Sequence, residues 1–208
     1  MTTGRFITLE GGEGAGKSTQ IQRLIAWLTK EQGHQVIATR EPGGSDGAEA
    51  IRELLVNGEV DRWDAETEAL LHFAARRDHV ERRVRPALEA GIWVVCDRFA
   101  DSTRAYQGIV QCAGLDYIEE LYRLTLGGLA PDLTLILDLP VELGLERARE
   151  RGGSDRYERM GLAFHEALRE AFLVIAAKHA DRCAIVDATG SVDEIAARLR
   201  HVVSTRWP

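Results

Sequence analysis

Eight residues near the start of the chain, Gly11-Gly12-Glu13-Gly14-Ala15-Gly16-Lys17-Ser18, combine glycines, a cation and a hydroxyl at fixed spacing. Gly11-x-x-x-x-Gly16-Lys17-Ser18 is the eight-position Walker A pattern, and each position has a chemical task. Glycines let backbone N–H groups turn inward around phosphate oxygens, and a helix starting near Lys17 adds the positive end of its dipole. Lys17 is placed to reach the β and γ phosphates of a nucleoside triphosphate, and the Ser18 hydroxyl to ligate Mg²⁺. Ala15 and Thr19 complete the candidate donor-binding stretch.

The motif speaks for a triphosphate and says nothing of an acceptor. A GTPase switch would need an NKxD motif, yet the only asparagine is Asn57, followed by Gly58. The LSGGQ signature of ABC-type ATPases is also missing. A small-metabolite or nucleotide kinase remains, and it needs cations on both sides of the transferring phosphoryl group. Arg40, Arg76 and Arg98 follow or face predicted strand ends, where open α/β sheets bind ligands. Arginine suits phosphate through its bidentate fork.

Apolar, β-rich runs at 6–9, 35–39, 92–96, 133–137 and 183–186 must carry these residues, with helical patterns between them. Helices are predicted after the glycine-rich loop and at 46–57, 64–90, 102–111, 115–128, 141–151, 158–179 and 191–205. Ile21, Leu24, Ile25 and Leu28 form the apolar stripe of the first, which Gly33 is placed to stop. Alternating strands and helices imply an α/β fold, a mostly parallel sheet covered on both faces. No linker or repeat divides the 208 residues, so one domain is expected. Residues 147–159 stand apart as a basic, mobile stretch with five arginines around Gly152-Gly153.

A net charge of −7 argues against a broad nucleic-acid or acidic-membrane surface. No apolar run approaches a membrane span and the start has no signal-like region, so a cytoplasmic location is expected. Cys96, Cys112 and Cys183 form no CxxC pair and are expected to be reduced thiols.

The order of the motifs 9–19 (Leu9 to Thr19), Thr39-Arg40-Glu41-Pro42-Gly43-Gly44, Phe73-Ala74-Ala75-Arg76 and Asp97-Arg98-Phe99 resembles bacterial thymidylate kinases. The likeness continues through Ser102-Thr103-Arg104-Ala105-Tyr106-Gln107-Gly108 and Pro131-Asp132-Leu133-Thr134 to the arginine-rich segment. It implies a three-layer P-loop NTPase fold with a five-stranded parallel sheet, a small lid and a homodimer. The implied reaction is ATP plus dTMP giving ADP plus dTDP, with Mg²⁺.

The same resemblance implies roles for single residues. Arg98 and Arg40 approach the dTMP phosphate, Arg76 the thymine edge, and Glu13 the deoxyribose 3′-hydroxyl. Pro42 and Ser102 line the acceptor site. Thr103 and Gln107 are able to read the base, and Tyr106 crowds the ribose 2′ position. Either His72 or Phe73 covers the base. Asp97 serves as an electrostatic positioner near the metal. Gly14 stands where eukaryotic relatives carry arginine, so the missing cation is expected from the lid, with Arg151 first and Arg147, Arg149 and Arg156 as further donor-site candidates. Other acceptors such as dUMP or dCMP, and a non-catalytic nucleotide-binding module, are the competing readings.

Overall fold

In the computed structural model, residues 4–150, 152 and 156–208 are described. The strands are β1 (Phe6–Glu10), β2 (Val36–Arg40), β3 (Trp93–Asp97), β4 (Leu133–Asp138) and β5 (Cys183–Asp187). They form one parallel sheet in the order β2-β3-β1-β4-β5. The helices are α1 (Lys17–Lys30), α2 (Asp46–Val56), α3 (Ala65–His79), α4 (Arg85–Glu89), α5 (Ala100–Thr103), α6 (Leu115–Leu126), α7 (Val141–Glu150), α8 (Leu162–Lys178) and α9 (Val192–Arg206).

The central strand β1 is buried at every position, as the continuous apolar run of a doubly covered parallel strand requires. On one face, Ile7 and Leu9 pack with Leu24 and Leu28 of α1 and Leu199 of α9. On the other, Phe6, Val94 and Cys96 pack with Phe73 of α3, Val84 and Ile118 of α6. A third cluster joins Ile136 to Phe172 of α8 and to Tyr106 and Tyr157. All five strands end in a charged residue: Glu10, Arg40, Asp97, Asp138 and Asp187. Register sets Asp97 beside Leu9 on one side and Arg40 on the other. The charges are thereby gathered at the carboxyl edge of the sheet.

Three expected helices differ in detail. The stretch predicted at 64–90 is α3, then π-helical Val80–Val84, then α4. Pro86 explains the interruption, because its ring crowds the carbonyl four residues earlier and it has no N–H; the wider turn, with Arg85 N–H on the Val80 carbonyl, relieves both. The stretch predicted at 102–111 starts at Ala100 and turns π-helical over Arg104–Val110. Residues 158–161 are not helical, since α8 begins only after Gly161. Gly33 does stop α1: its φ is +73°, and the His34 N–H returns to the Leu28 carbonyl at 3.0 Å.

Candidate functional site

The β1–α1 turn wraps tightly. Gly14 has φ +68°, and a Cβ there would lie 1.8 Å from the Gly144 carbonyl oxygen of α7. The loop therefore packs directly against the helix leading to the arginine-rich segment, and no side chain fits at Gly14. Lys17 Nζ donates to the Gly11 and Gly12 carbonyls at 3.0 and 2.9 Å. Burial, then the Arg98 charge, lowers its pKa. Ser18 Oγ donates to Asp97 Oδ2 at 3.0 Å, joining the start of α1 to the end of β3.

Arg98 follows β3 with φ +67°, a left-handed backbone that only a local constraint maintains in a non-glycine residue. Its N–H donates to the Leu9 carbonyl at 2.9 Å, which fixes the turn. The guanidinium donates to the Gly11 carbonyl and Ser102 Oγ, each at 3.1 Å, and to Glu13 Oε1 at 2.7 Å. Tyr106 donates to the same Glu13 oxygen at 2.9 Å. Burial alone would raise the Glu13 pKa, but Arg98, Lys17 and the Tyr106 hydroxyl bring it down to about 2. Burial likewise opposes the Arg98 charge, and Tyr106, Glu13, Glu10 and Asp97 more than offset it.

Two adjoining clefts meet at this pair, with Glu13, Glu41, Arg52 and Arg98 lining both. The first, of about 810 Å³, runs along Gly14, Gly16, Lys17 and Ser18 to Arg40 and Asp97. The second, of about 550 Å³, is walled by Pro42, His72, Arg76, Thr103, Gln107 and Tyr157, and also holds Ser102 and Tyr106. Its size suits a nucleotide.

In the second cleft Arg76 is 2 % exposed and its charge is met by Glu41, Nε to Oε2 at 2.6 Å. Arg76 Nη2 donates to Thr103 Oγ1 at 3.1 Å. Nη1 and Gln107 Nε2 are buried donors without a hydrogen-bond partner among the described residues. Unmet buried donors are costly, so on a cleft wall they mark places for ligand acceptors. The second Glu41 oxygen is 2.8 Å from His79 Nδ1, and His79 Nε2 is 2.6 Å from Thr39 Oγ1.

Most sequence candidates come together here, with two corrections. Phe73 does not line the cleft; it is 1 % exposed in the core, with the Arg76 guanidinium 4.9 Å above its ring. Of the two candidate base covers, His72 is the one on the wall. Arg156 is not a donor-site cation, because it is 0 % exposed and saturated by Glu68 and by the Leu55 and Val60 carbonyls. Thr19 is exposed on the first turn of α1, next to Ser18. Arg40 pairs with Glu49 at 3.1 Å on the phosphate side. On α7, Arg147 lies 3.4 Å from the Ala188 carbonyl, and Arg149 bonds to the Leu145 carbonyl of its own helix. Arg151 lies outside the described residues.

Four contributors escaped the sequence reading. Glu41 sits inside the Arg-Glu-Pro-Gly-Gly motif, and its strand-end position was the available signal. Glu10, fully buried, accepts from the Phe99 N–H at 2.7 Å and from Ser102 Oγ at 2.6 Å, and thus holds the segment that carries Arg98. Arg52 has no motif around it and Tyr157 sits among the arginines of the 147–159 stretch; they reach the cleft only through the packing of α2 and of the turn before α8.

A glycine-rich phosphate loop at the carboxyl edge of a five-stranded parallel sheet, with an arginine-lined second cleft beside it, defines a P-loop nucleoside monophosphate kinase. The thymidylate kinase family model matches residues 9–199. Thymidylate kinases from Caulobacter vibrioides and Rhizorhabdus wittichii are 60 % and 52 % identical, each alignment covering 99 % of both chains. The crystal structure of thymidylate kinase from Ehrlichia chaffeensis superposes with a TM-score of 0.79 at 30 % identity, covering 97 % of this chain and 99 % of that one. The chain belongs to the thymidylate kinase family. It is a phosphotransferase that uses ATP to phosphorylate dTMP.

Proposed function

We propose that ATP lies along the loop cleft and dTMP in the adjoining cleft, so that the γ-phosphoryl group passes between Lys17 and Arg98. The observation that carries this division is the position of Arg98, tied to the Gly11 carbonyl and to Glu13 where the clefts meet. Arg98 and Arg40 draw the dTMP phosphate toward the donor, and Lys17 shifts from its loop carbonyls to the β and γ phosphates. Little covalent work falls to the protein, because charge and alignment lower the barrier of a loose phosphoryl transfer. Asp97 acts by position and charge.

Among the described residues, Arg98 and Tyr106 both bond to Glu13 Oε1, and Oε2 is assigned to the deoxyribose 3′-hydroxyl. Tyr106 fills the space beside C2′. Arg76 Nη1 and Gln107 Nε2, without partners among the described residues, match the two carbonyl oxygens of thymine. Ser18 Oγ and Asp97 are hard oxygen donors beside the phosphate loop and fit Mg²⁺, which takes few protein ligands and keeps several waters. When bound, Mg²⁺ neutralises charge on the β and γ phosphates.

The reading extends to one domain with a lid at about 147–159, a cytoplasmic location, dTTP supply for DNA synthesis, and a homodimer. Exposed Leu54, Leu70 and Leu124 on the adjacent helices α2, α3 and α6 support self-association. Among the described residues, no helix is long and apolar enough to cross a membrane.

A coupled assay with ATP, Mg²⁺ and a panel of dTMP, dUMP, dCMP, UMP and AMP tests the assignment. The highest kcat/KM is expected for dTMP, and turnover stops on chelation while dTMP still binds. Another acceptor in first place would reject the substrate assignment.

A further inference from the structure

Tyr157 connects the second cleft to a buried carboxylate. Glu68 of α3 is 0 % exposed and is paired with Arg156. Its Oε2 accepts from Gln111 Nε2 at 3.2 Å, and its Oε1 accepts from the Tyr157 hydroxyl. The Tyr157 oxygen also lies 3.0 Å from His72 Nε2. His72 and Tyr157 both line the cleft.

Proton counting fixes the ring. The hydrogen bond from the Tyr157 hydroxyl to the Glu68 carboxylate takes one proton, and tyrosine has only one to give. Burial and the Glu68 charge keep the phenol protonated, well above its ordinary pKa. Toward His72 the Tyr157 oxygen can therefore only accept, so His72 Nε2 carries the hydrogen. Burial, then the Arg76 and Arg156 charges, hold His72 well below the ordinary histidine range, which leaves Nδ1 bare. The charges around it are Arg76 and Glu68 from α3, Arg52 from α2, Arg98 after β3 and Arg156 before α8, with Glu13 and Glu41 on the same cleft wall. Burial first, and then the four arginines, disfavour an imidazolium.

We infer that Glu68, acting through Tyr157, is a positioning residue for acceptor-base recognition that fixes His72 as a neutral imidazole with its hydrogen on Nε2. The inference rests on this cleft holding the base. Thymine presents two carbonyl acceptors flanking an N–H donor, whereas cytosine presents an acceptor nitrogen and an amino donor. Arg76 Nη1 and Gln107 Nε2 already supply two donors. A neutral His72 adds an uncharged ring to the cleft wall and no donor at Nδ1, which favours the thymine pattern. An imidazolium would add a donor and a charge suited to cytosine.

The full-length protein tests this with long-range ¹H–¹⁵N spectra of labelled histidine and with kinetics. Wild type is expected to show a protonated Nε2 and bare Nδ1 at His72, unchanged between about pH 8 and pH 6. Tyr157→Phe should mix the tautomers and raise KM for dTMP about 5- to 10-fold with kcat within about twofold, as for loss of one ground-state hydrogen bond. In a His72→Phe background, the same Tyr157→Phe change should move KM by less than about twofold, because no tautomer remains to be set. An Nδ1–H tautomer or an imidazolium in the wild type would overturn the inference. Equal effects of Tyr157→Phe in both backgrounds would also overturn it, by showing a packing role. If Tyr157→Phe and His72→Phe both leave KM for dTMP unchanged, the assignment of the cleft to the base falls with it.

Discussion

Arg98 Nη2 donates to Glu13 Oε1 at 2.7 Å, so the cation on the acceptor side is held by an acid inside the phosphate loop. A carboxylate in such a loop would repel a triphosphate if it stood alone. Paired with Arg98 and capped by Tyr106, it becomes the link between the two substrate sites. Arg98→Ala should lower kcat/KM for dTMP by at least about 100-fold, the size expected for one lost charge stabiliser. Arg98→Lys should recover only part of this, since an ammonium cannot reach Gly11, Ser102 and Glu13 with one planar fork. Steady-state kinetics decide it, and an Arg98→Lys enzyme at wild-type rate would show that charge alone suffices.

Arg156 holds the turn before α8 to α2 and α3 through a fully buried pair with Glu68. Removing one partner strands a buried charge, so Arg156→Ala should cost about 3–5 kcal/mol of stability. Urea denaturation measures that loss. At a temperature where the variant is folded, KM for ATP should stay within about threefold of wild type, unlike the loss expected of a donor-site cation.

The Glu10 carboxyl is pushed up to about 7 by burial and by Asp101, from an ordinary value of 4.5. The fold therefore keeps this proton over a range where the unfolded chain has released it. The contribution of Glu10 to stability is fully present below the unfolded value and is lost as pH rises from 4.5 to about 7, by up to about 3 kcal/mol. Glu10→Gln removes the titration. The stability difference between variant and wild type should shift toward the variant by about 1–3 kcal/mol between pH 5 and pH 8, measured by denaturant titration. A pH-independent difference would show that Glu10 does not titrate in this window.

No side chain fits at Gly14, so the loop supplies no arginine of its own. Arg151→Ala should lower kcat by at least about 100-fold with little change in dTMP affinity. Single-turnover kinetics alongside dTMP titration check the split. A near-wild-type kcat would pass the role to Arg147 or Arg149.

The strands were legible because a parallel strand covered on both faces must be a short, continuous apolar run. The five observed strands lie within about one residue of the runs in the sequence. The phosphate loop was legible because its spacing is local: Gly11, Lys17 and Ser18 sit on one turn. Helix interiors with π-helical stretches were less so, since Pro86 gave a local cause but Arg104–Val110 gave none.

Apolar runs and motif spacing by themselves thus determined the strands, the loop and the acceptor-side arginine set. Only tertiary structure decided the fate of residues whose surroundings come from distant chain segments. Arg156 looked like one more basic residue of the 147–159 stretch until Glu68, 88 positions away, was found to neutralise it. His72 and Phe73 are adjacent in sequence, yet on a helix they point about 100° apart, and the packing of α3 sends one to the cleft and the other to the core. Burial and partner charges are sums over the folded neighbourhood, and a sequence pattern carries only the part of that sum supplied within a few turns.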